Sequence, residues 1–141
     1  MILLDSDHFT VVVDSRHRLH ASLISRLLAV DETIALPIIV VEEQMRAWMA
    51  QINRIRDSYQ LVVPYGHLVQ LIDVLADWEI IPWSDKSATE FDNLRAGRVL
   101  IGTQDLRIAS IARATESILL SANSRDFDKV PGLQVEDWLH R

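Results

Sequence analysis

Met1-Ile2-Leu3-Leu4-Asp5-Ser6-Asp7-His8 opens the chain with an apolar run that ends abruptly on acids. The run is too short for a helix and does not alternate, so Met1 to Leu4 reads as a buried first strand. Strands buried on both faces belong to parallel sheets, and parallel sheets place their sites beyond the carboxyl ends of strands. Asp5 stands at such an end. A carboxylate leaving an apolar strand there needs a partner to offset its desolvation.

Outward from this stretch, strand-like and helix-like segments alternate, which predicts an α/β fold with a parallel sheet. Leu19, Leu23, Leu27 and Val30 fall at helical spacing, and the β-branched run from Ile34 to Val41 reads as the second strand. From Glu42 the pattern turns helical, with Met45, Trp48, Met49 and Ile52 on one face. Pro64 and Gly66 read as a break, followed by an amphipathic helix from His67 to Trp78. Residues 42–78 therefore form a helical excursion between the second and third strands.

Glu79 to Trp83 reads as the third strand, and Ser84 as the N-cap of a helix carrying Ala88, Phe91 and Leu94. Thr103 is the candidate N-cap of the next helix, with Leu106, Ile108, Ile111 and Ala112 as its apolar positions. Ser117 to Ser121 gives a fourth strand, Asp126 to Gly132 a loop with a Pro-Gly turn, and Gln134 to Trp138 a short edge strand. No repeat, linker or low-complexity segment divides the chain.

With 141 residues, a single domain spanning 1–141 is the natural expectation. The absence of cysteine excludes disulfides, thiolate zinc sites, iron–sulfur clusters and cysteine nucleophiles. No basic stretch precedes an apolar one at the start, so no signal peptide is read. No apolar run approaches the ~18 residues of a membrane span, so a cytoplasmic protein without a membrane partner is expected. The net charge of −6 argues against a generally basic nucleic-acid surface. Carboxylates neutralised as metal ligands, or local basic residues such as Arg95, Arg98, Arg107, Arg113 and Arg125, would still leave room for a local nucleic-acid contact.

The acids fall where a parallel sheet can use them. Asp5 and Asp7 follow the first strand, Glu43 the second, and Asn123 and Asp126 the fourth, while Asp105 lies in the first turn of a helix. Each has a local explanation. Asp7 can cap a turn, Glu42, Glu43 and Asp105 suit a helix N-terminus, and Asp126 can form an Asx turn. Their shared placement is the stronger argument. Clustered carboxylates repel one another until a cation neutralises them, and hard divalent ions such as Mg²⁺ prefer oxygen ligands. Such a centre can activate water toward a phosphodiester without a nucleophilic side chain.

Other candidates carry less. His17 and His20 share a helix face but have no third ligand, and His8 reads equally as a surface residue or a neighbour of the site. Trp48, Trp78, Trp83 and Trp138 sit at core-like positions or element ends and read as packing or interface residues. Ser6, Ser121 and Ser124 lie near the acids without a nucleophile elbow, and no phosphate-binding glycine pattern is present.

Leu3-Leu4-Asp5-Ser6-Asp7-His8 resembles the opening motif of PIN-domain toxins of the VapC type, and Val41-Glu42-Glu43-Gln44 their second acidic motif. Ile101-Gly102-Thr103-Gln104-Asp105-Leu106-Arg107-Ile108-Ala109 resembles the third and is the most specific match. Asn123-Ser124-Arg125-Asp126-Phe127, Val130-Pro131-Gly132-Leu133 and Glu136-Asp137-Trp138 resemble the family's C-terminal segment. The resemblance runs from residue 1 to 138, with little of it in 54–80. It departs at Val40, where relatives often carry a small hydroxyl residue, and at Ser121-Ala122, where they carry Thr-Arg.

The resemblance implies a three-layer α/β/α PIN fold with a mostly parallel five-stranded sheet. It also implies Mg²⁺ or Mn²⁺ dependence, endonucleolytic cleavage of RNA, a homodimer, and a cognate antitoxin that blocks the acidic site. By position, Asp5, Glu43 and Asp105 would be metal ligands, with Asp126 as the fourth. Asp7, Thr103 and Asn123 would support them, and Arg107 and Arg125 would contact RNA. Two rival readings remain: a non-catalytic PIN-like interaction module, and a haloacid-dehalogenase-like phosphatase using Asp5 as nucleophile. The phosphatase wants a lysine in the site, and Lys86 and Lys129 are the chain's only lysines.

Overall fold

The computed structural model describes residues 1–141. Five strands, β1 (Ile2–Leu4), β2 (Ile34–Pro37), β3 (Glu79–Ile81), β4 (Ile118–Leu120) and β5 (Gln134–Glu136), form one sheet in the order β3-β2-β1-β4-β5. Every neighbouring pair is parallel. Seven helices connect and flank them: α1 (Ser6–Val13), α2 (His20–Leu28), α3 (Ile38–Arg54), α4 (Val62–Leu75), α5 (Asp85–Ala96), α6 (Thr103–Ala114) and α7 (Ser124–Phe127). A 3-10 turn over Ser58–Leu61 leads into α4.

The chain moves outward from β1 to β2 and β3, then returns past β1 to β4 and β5. Right-handed crossovers place the helices of those two halves on opposite faces of the sheet. The reversal falls between β1 and β4, which pair in register from Ile2↔Ile118 to Leu4↔Leu120. Residues just past both strands therefore meet at the crevice where the winding changes direction. Leu3, Leu4, Leu36, Leu119 and Leu120 are fully buried. Burial of each such side chain stabilises the fold by about 2 kcal/mol.

The α/β class, the parallel sheet and the helical excursion between β2 and β3 agree with the sequence reading. Three local expectations are corrected. The second strand stops at Pro37, and the β-branched stretch Ile38 to Val41 begins α3. Ile39, Val40 and Val41 are buried in that first turn, and their packing outweighs the modest strand preference of branched side chains. Pro64 and Gly66 do not break the chain but lie inside α4. Pro64 is the third residue of the helix, where its missing N–H has no intrahelical acceptor to lose. Gly102 rather than Thr103 caps α6, and Thr103 is its first residue. Ser84 caps α5 as expected, its hydroxyl accepting from Ser87 N. Gly132 takes φ +73°, the left-handed turn that the Pro-Gly pair predicts.

Candidate active site

Asp5 ends β1 and caps α1. Its Oδ1 accepts from Ser6 N at 2.7 Å and its Oδ2 from Ser121 Oγ at 2.7 Å. The second bond crosses the β1–β4 crevice. Only 7% of Asp5 is exposed. Burial first, then the neighbouring Asp7, pushes its carboxyl up to about 6.

Glu43 arrives from α3. It follows the buried Ile39 by four positions and Val40 by three, so the core-facing side of the helix carries it inward. Its Oε2 accepts from Ser6 Oγ at 3.3 Å, and its Oε1 is buried without a hydrogen-bond partner. Burial, then Asp5, pushes it up to about 7. Asp105 comes from the first turn of α6, where Asn123 Nδ2 donates to its Oδ2 at 3.2 Å. Burial and then the charge of Asp126 raise it above the usual carboxylate range. Asp5 and Glu43 also feel Asp105, so three acids far apart in sequence share one field.

Asp126 stands at the margin. It shares Asn123 Nδ2 at 3.2 Å with Asp105 and faces Lys129 Nζ at 3.5 Å. Asp7 is spent on the scaffold, with Oδ2 accepting from Ala122 N at 2.8 Å and Oδ1 facing His8 Nδ1 at 2.6 Å. Thr103 makes no side-chain hydrogen bond to the acids. It lines a cleft beside α5 with Phe91, Arg95 and Leu106. Arg107 binds Gln104 Oε1 at 2.7 Å beside Glu42, and Arg125 is exposed on α7. Lys129 reaches Asp126, and Lys86 is exposed on α5, so neither lysine serves Asp5 as a phosphatase would need.

Ser6 and Ser121 are the residues the sequence reading undervalued. Each donates a hydroxyl hydrogen to a site carboxylate, and each directly adjoins a strand end or an acid, which is the signal that could have found them. His8 is fully buried. Trp138 N donates to its Nε2 at 3.1 Å, so the ring hydrogen sits on Nδ1 and donates to Asp7. The imidazole thereby ties the start of α1 to the C-terminal segment. His8→Ala is expected to cost about 3 kcal/mol in urea-denaturation free energy, because it opens a cavity at a fully buried ring and strands a part-buried amide. A change below about 1 kcal/mol would show that the tie carries little.

No three acidic or imidazole groups already form a chelating set. The carboxylates rest instead on neutral donors: Ser6, Ser121 and Asn123. Their chemistry suits a hard divalent cation, since they offer only oxygen, repel one another, and include one buried oxygen lacking any donor.

No family model matches the chain. It is 35% identical over 81 residues to a protein named Ribonuclease VapC2 of Haemophilus influenzae, which covers 54% of this chain and 61% of that protein. The chain thus spans about three-fifths of the length of that relative. A Ribonuclease VapC2 of Rickettsia felis is 29% identical over 116 residues, 79% of each chain. The crystal structure of VapBC2 from Rickettsia felis, bound to a DNA fragment from its promoter, superposes with a TM-score of 0.72 at 26% identity. It covers 98% of this chain and 99% of that one. In sequence and in fold, this chain is similar to VapC-type proteins. Within this fold, Asp5, Glu43 and Asp105 gather at the crevice where the winding reverses, and Asp126 flanks them.

Proposed function

We propose that the protein is a metal-dependent endoribonuclease, the toxin of a toxin–antitoxin pair. One observation carries the reading: a buried Asp5 at the sheet's switch point, coupled to Glu43 and Asp105, with a Glu43 oxygen left unpartnered. The similarity to proteins named ribonuclease supports the activity, and the likeness to a VapBC2 complex supports an antitoxin partner.

Asp5, Glu43 and Asp105 would hold Mg²⁺, or Mn²⁺ in its place, with Asp126 as an outer fourth carboxylate. Such an ion supplies Lewis acidity to the phosphodiester and lowers the pKa of water. Ser6 and Ser121 orient the carboxylates, and Asn123 keeps Asp105 and Asp126 together. Arg107 and Arg125 contact the RNA backbone and fix its register. The active species is a homodimer, and its cognate antitoxin covers the acids. No helix is long and apolar enough to cross a membrane.

The test is cleavage of several structured RNAs with Mg²⁺, with EDTA, and by Asp105→Asn. Internal cuts that need the divalent ion, stop in EDTA and vanish in the variant are expected. Cleavage that persists in EDTA would overturn the metal assignment. Mn²⁺ binding with no cleavage of any RNA would favour a non-catalytic module, a reading the lack of a ready-made chelating set gives some ground.

A further inference from the structure

Beside the acids lies a second cavity that the hydrolytic reading leaves unused. It has a volume of about 410 Å³ and is lined by Ile38, Ile39, Glu42, Trp83, Phe91 and Arg107. Its position follows from helix geometry. α3 carries Glu43 to the acids and α6 carries Asp105. The preceding residues, Glu42 and Gln104, sit about 100° round each helix and hydrogen-bond to each other at 2.7 Å. Glu42 lines the cavity and the next residue, Glu43, reaches the acids, while Arg107 lines it two positions after Asp105, so the cavity and the acids adjoin along both helices.

We infer that this cavity receives a nucleobase of the RNA strand, next to the phosphate held at the acids. Ile38 and Ile39 offer apolar surface. Trp83 and Phe91 form an aromatic wall, with ring centroids 5.8 Å apart and planes at 74°. Arg95 stands over the Phe91 ring at 5.6 Å. Trp83 keeps 38% of its surface exposed, which leaves ring area free for stacking. The polar rim lies to one side. Arg107 spends one N–H on Gln104, and Glu42 accepts from Gln104 and from Arg46.

A flat ligand with apolar faces and mixed donor and acceptor edges fits this lining. A free phosphate would meet the Glu42 carboxylate, and an aliphatic side chain would leave the rim unused. The assignment rests on the ribonuclease reading and names what that site selects: a base flanking the cut, taken by stacking, which every base can satisfy and the rim can bias.

The test measures binding in EDTA, so that it does not depend on cleavage. End-labelled oligoribonucleotides, intact or with one abasic ribose stepped along the strand, are titrated with wild type, Trp83→Leu, Trp83→Phe and Arg107→Gln. Trp83→Leu is expected to weaken the intact oligomer about tenfold and Trp83→Phe less than about threefold. At one abasic position the difference between wild type and Trp83→Leu should disappear. Arg107→Gln, which leaves the aromatic wall in place, serves if Trp83→Leu fails to fold: the part of its loss owed to the RNA backbone stays at every abasic position, and the part owed to the base edge should disappear at that same one.

Equal affinity of wild type and variants for intact RNA would overturn the inference, as would an equal loss at every abasic position or no RNA binding by wild type. A change in sedimentation of Trp83→Leu at matched concentration, with RNA affinity kept, would assign the cavity to an interface between copies. Wild type that shows the expected binding pattern but cleaves nothing with Mg²⁺ would retire the nuclease reading and leave the base pocket standing. Cleavage by wild type with indifference to position 83 would do the reverse.

Discussion

Asp5→Asn is expected to lower divalent-dependent RNA cleavage by about three orders of magnitude while raising the thermal transition. The two effects have one cause. Asp5 is the most buried of the acids, bears the field of Asp7 and Asp105, and in turn raises Glu43. Its folded pKa of about 6 lies above the ordinary 3.8, so the folded state holds its proton more tightly than the unfolded state does. Ionised Asp5 therefore destabilises the metal-free fold. That penalty begins as pH rises past 3.8 and is complete above 6, where it amounts to about 3 kcal/mol.

Asparagine removes the charge and keeps the cap. Its carbonyl can accept from Ser6 N, and its amide can donate to Ser121 Oγ once that hydroxyl turns toward Asp7, 3.5 Å away. At pH 8 without metal, calorimetry should show a transition higher by about 10 °C, and at pH 4 almost none of that gain. A variant that lost stability equally at both pH values would mean that Asp5 is held for its hydrogen bonds rather than tolerated for its charge.

The second large effect concerns the ion. Glu43 at about 7 and Asp5 at about 6 are partly protonated near neutrality, and both must lose those protons to become ligands. Mg²⁺ affinity should therefore fall as pH falls. Taking both groups together, the dissociation constant should weaken by roughly two orders of magnitude between about pH 7.5 and 5.5. Titration calorimetry in two buffers of different ionisation enthalpy should register about one proton released per ion near pH 6. Affinity flat across that range would place the ion on other groups.

The sequence revealed the sheet and the acids because both signals are local. An apolar run that stops on a carboxylate marks a buried strand end, and that alone placed Asp5 beyond β1, which the strand order sets beside β4. The order of the later strands put Glu43, Asp105 and Asp126 on the same side. What stayed hidden depends on tertiary neighbours. Ile38 to Val41 look like strand because their side chains are branched, and only burial of Ile39, Val40 and Val41 makes them the start of α3. Pro64 looks like a break unless its place in the first turn is known. His8 reads equally as surface or as a neighbour of the site until Trp138, from the far end of the chain, donates to it. The distinction between Asp7, which holds the scaffold, and Asp5, which faces the other acids, rests on Ala122 N and Ser121 Oγ, and no spacing rule supplies those. Glu42 and Gln104 likewise meet only because α3 and α6 cross.

The convergence of carboxylates on a divalent ion is tested most directly by a crystal structure of the protein grown with Mn²⁺ and measured for anomalous scattering. The expected result is a peak at about 2.2 Å from oxygens of Asp5 and Asp105, with Glu43 Oε1 turned toward it directly or through one water. A Mn²⁺ peak bound by none of these three, or no peak at a concentration that supports RNA cleavage, would contradict it.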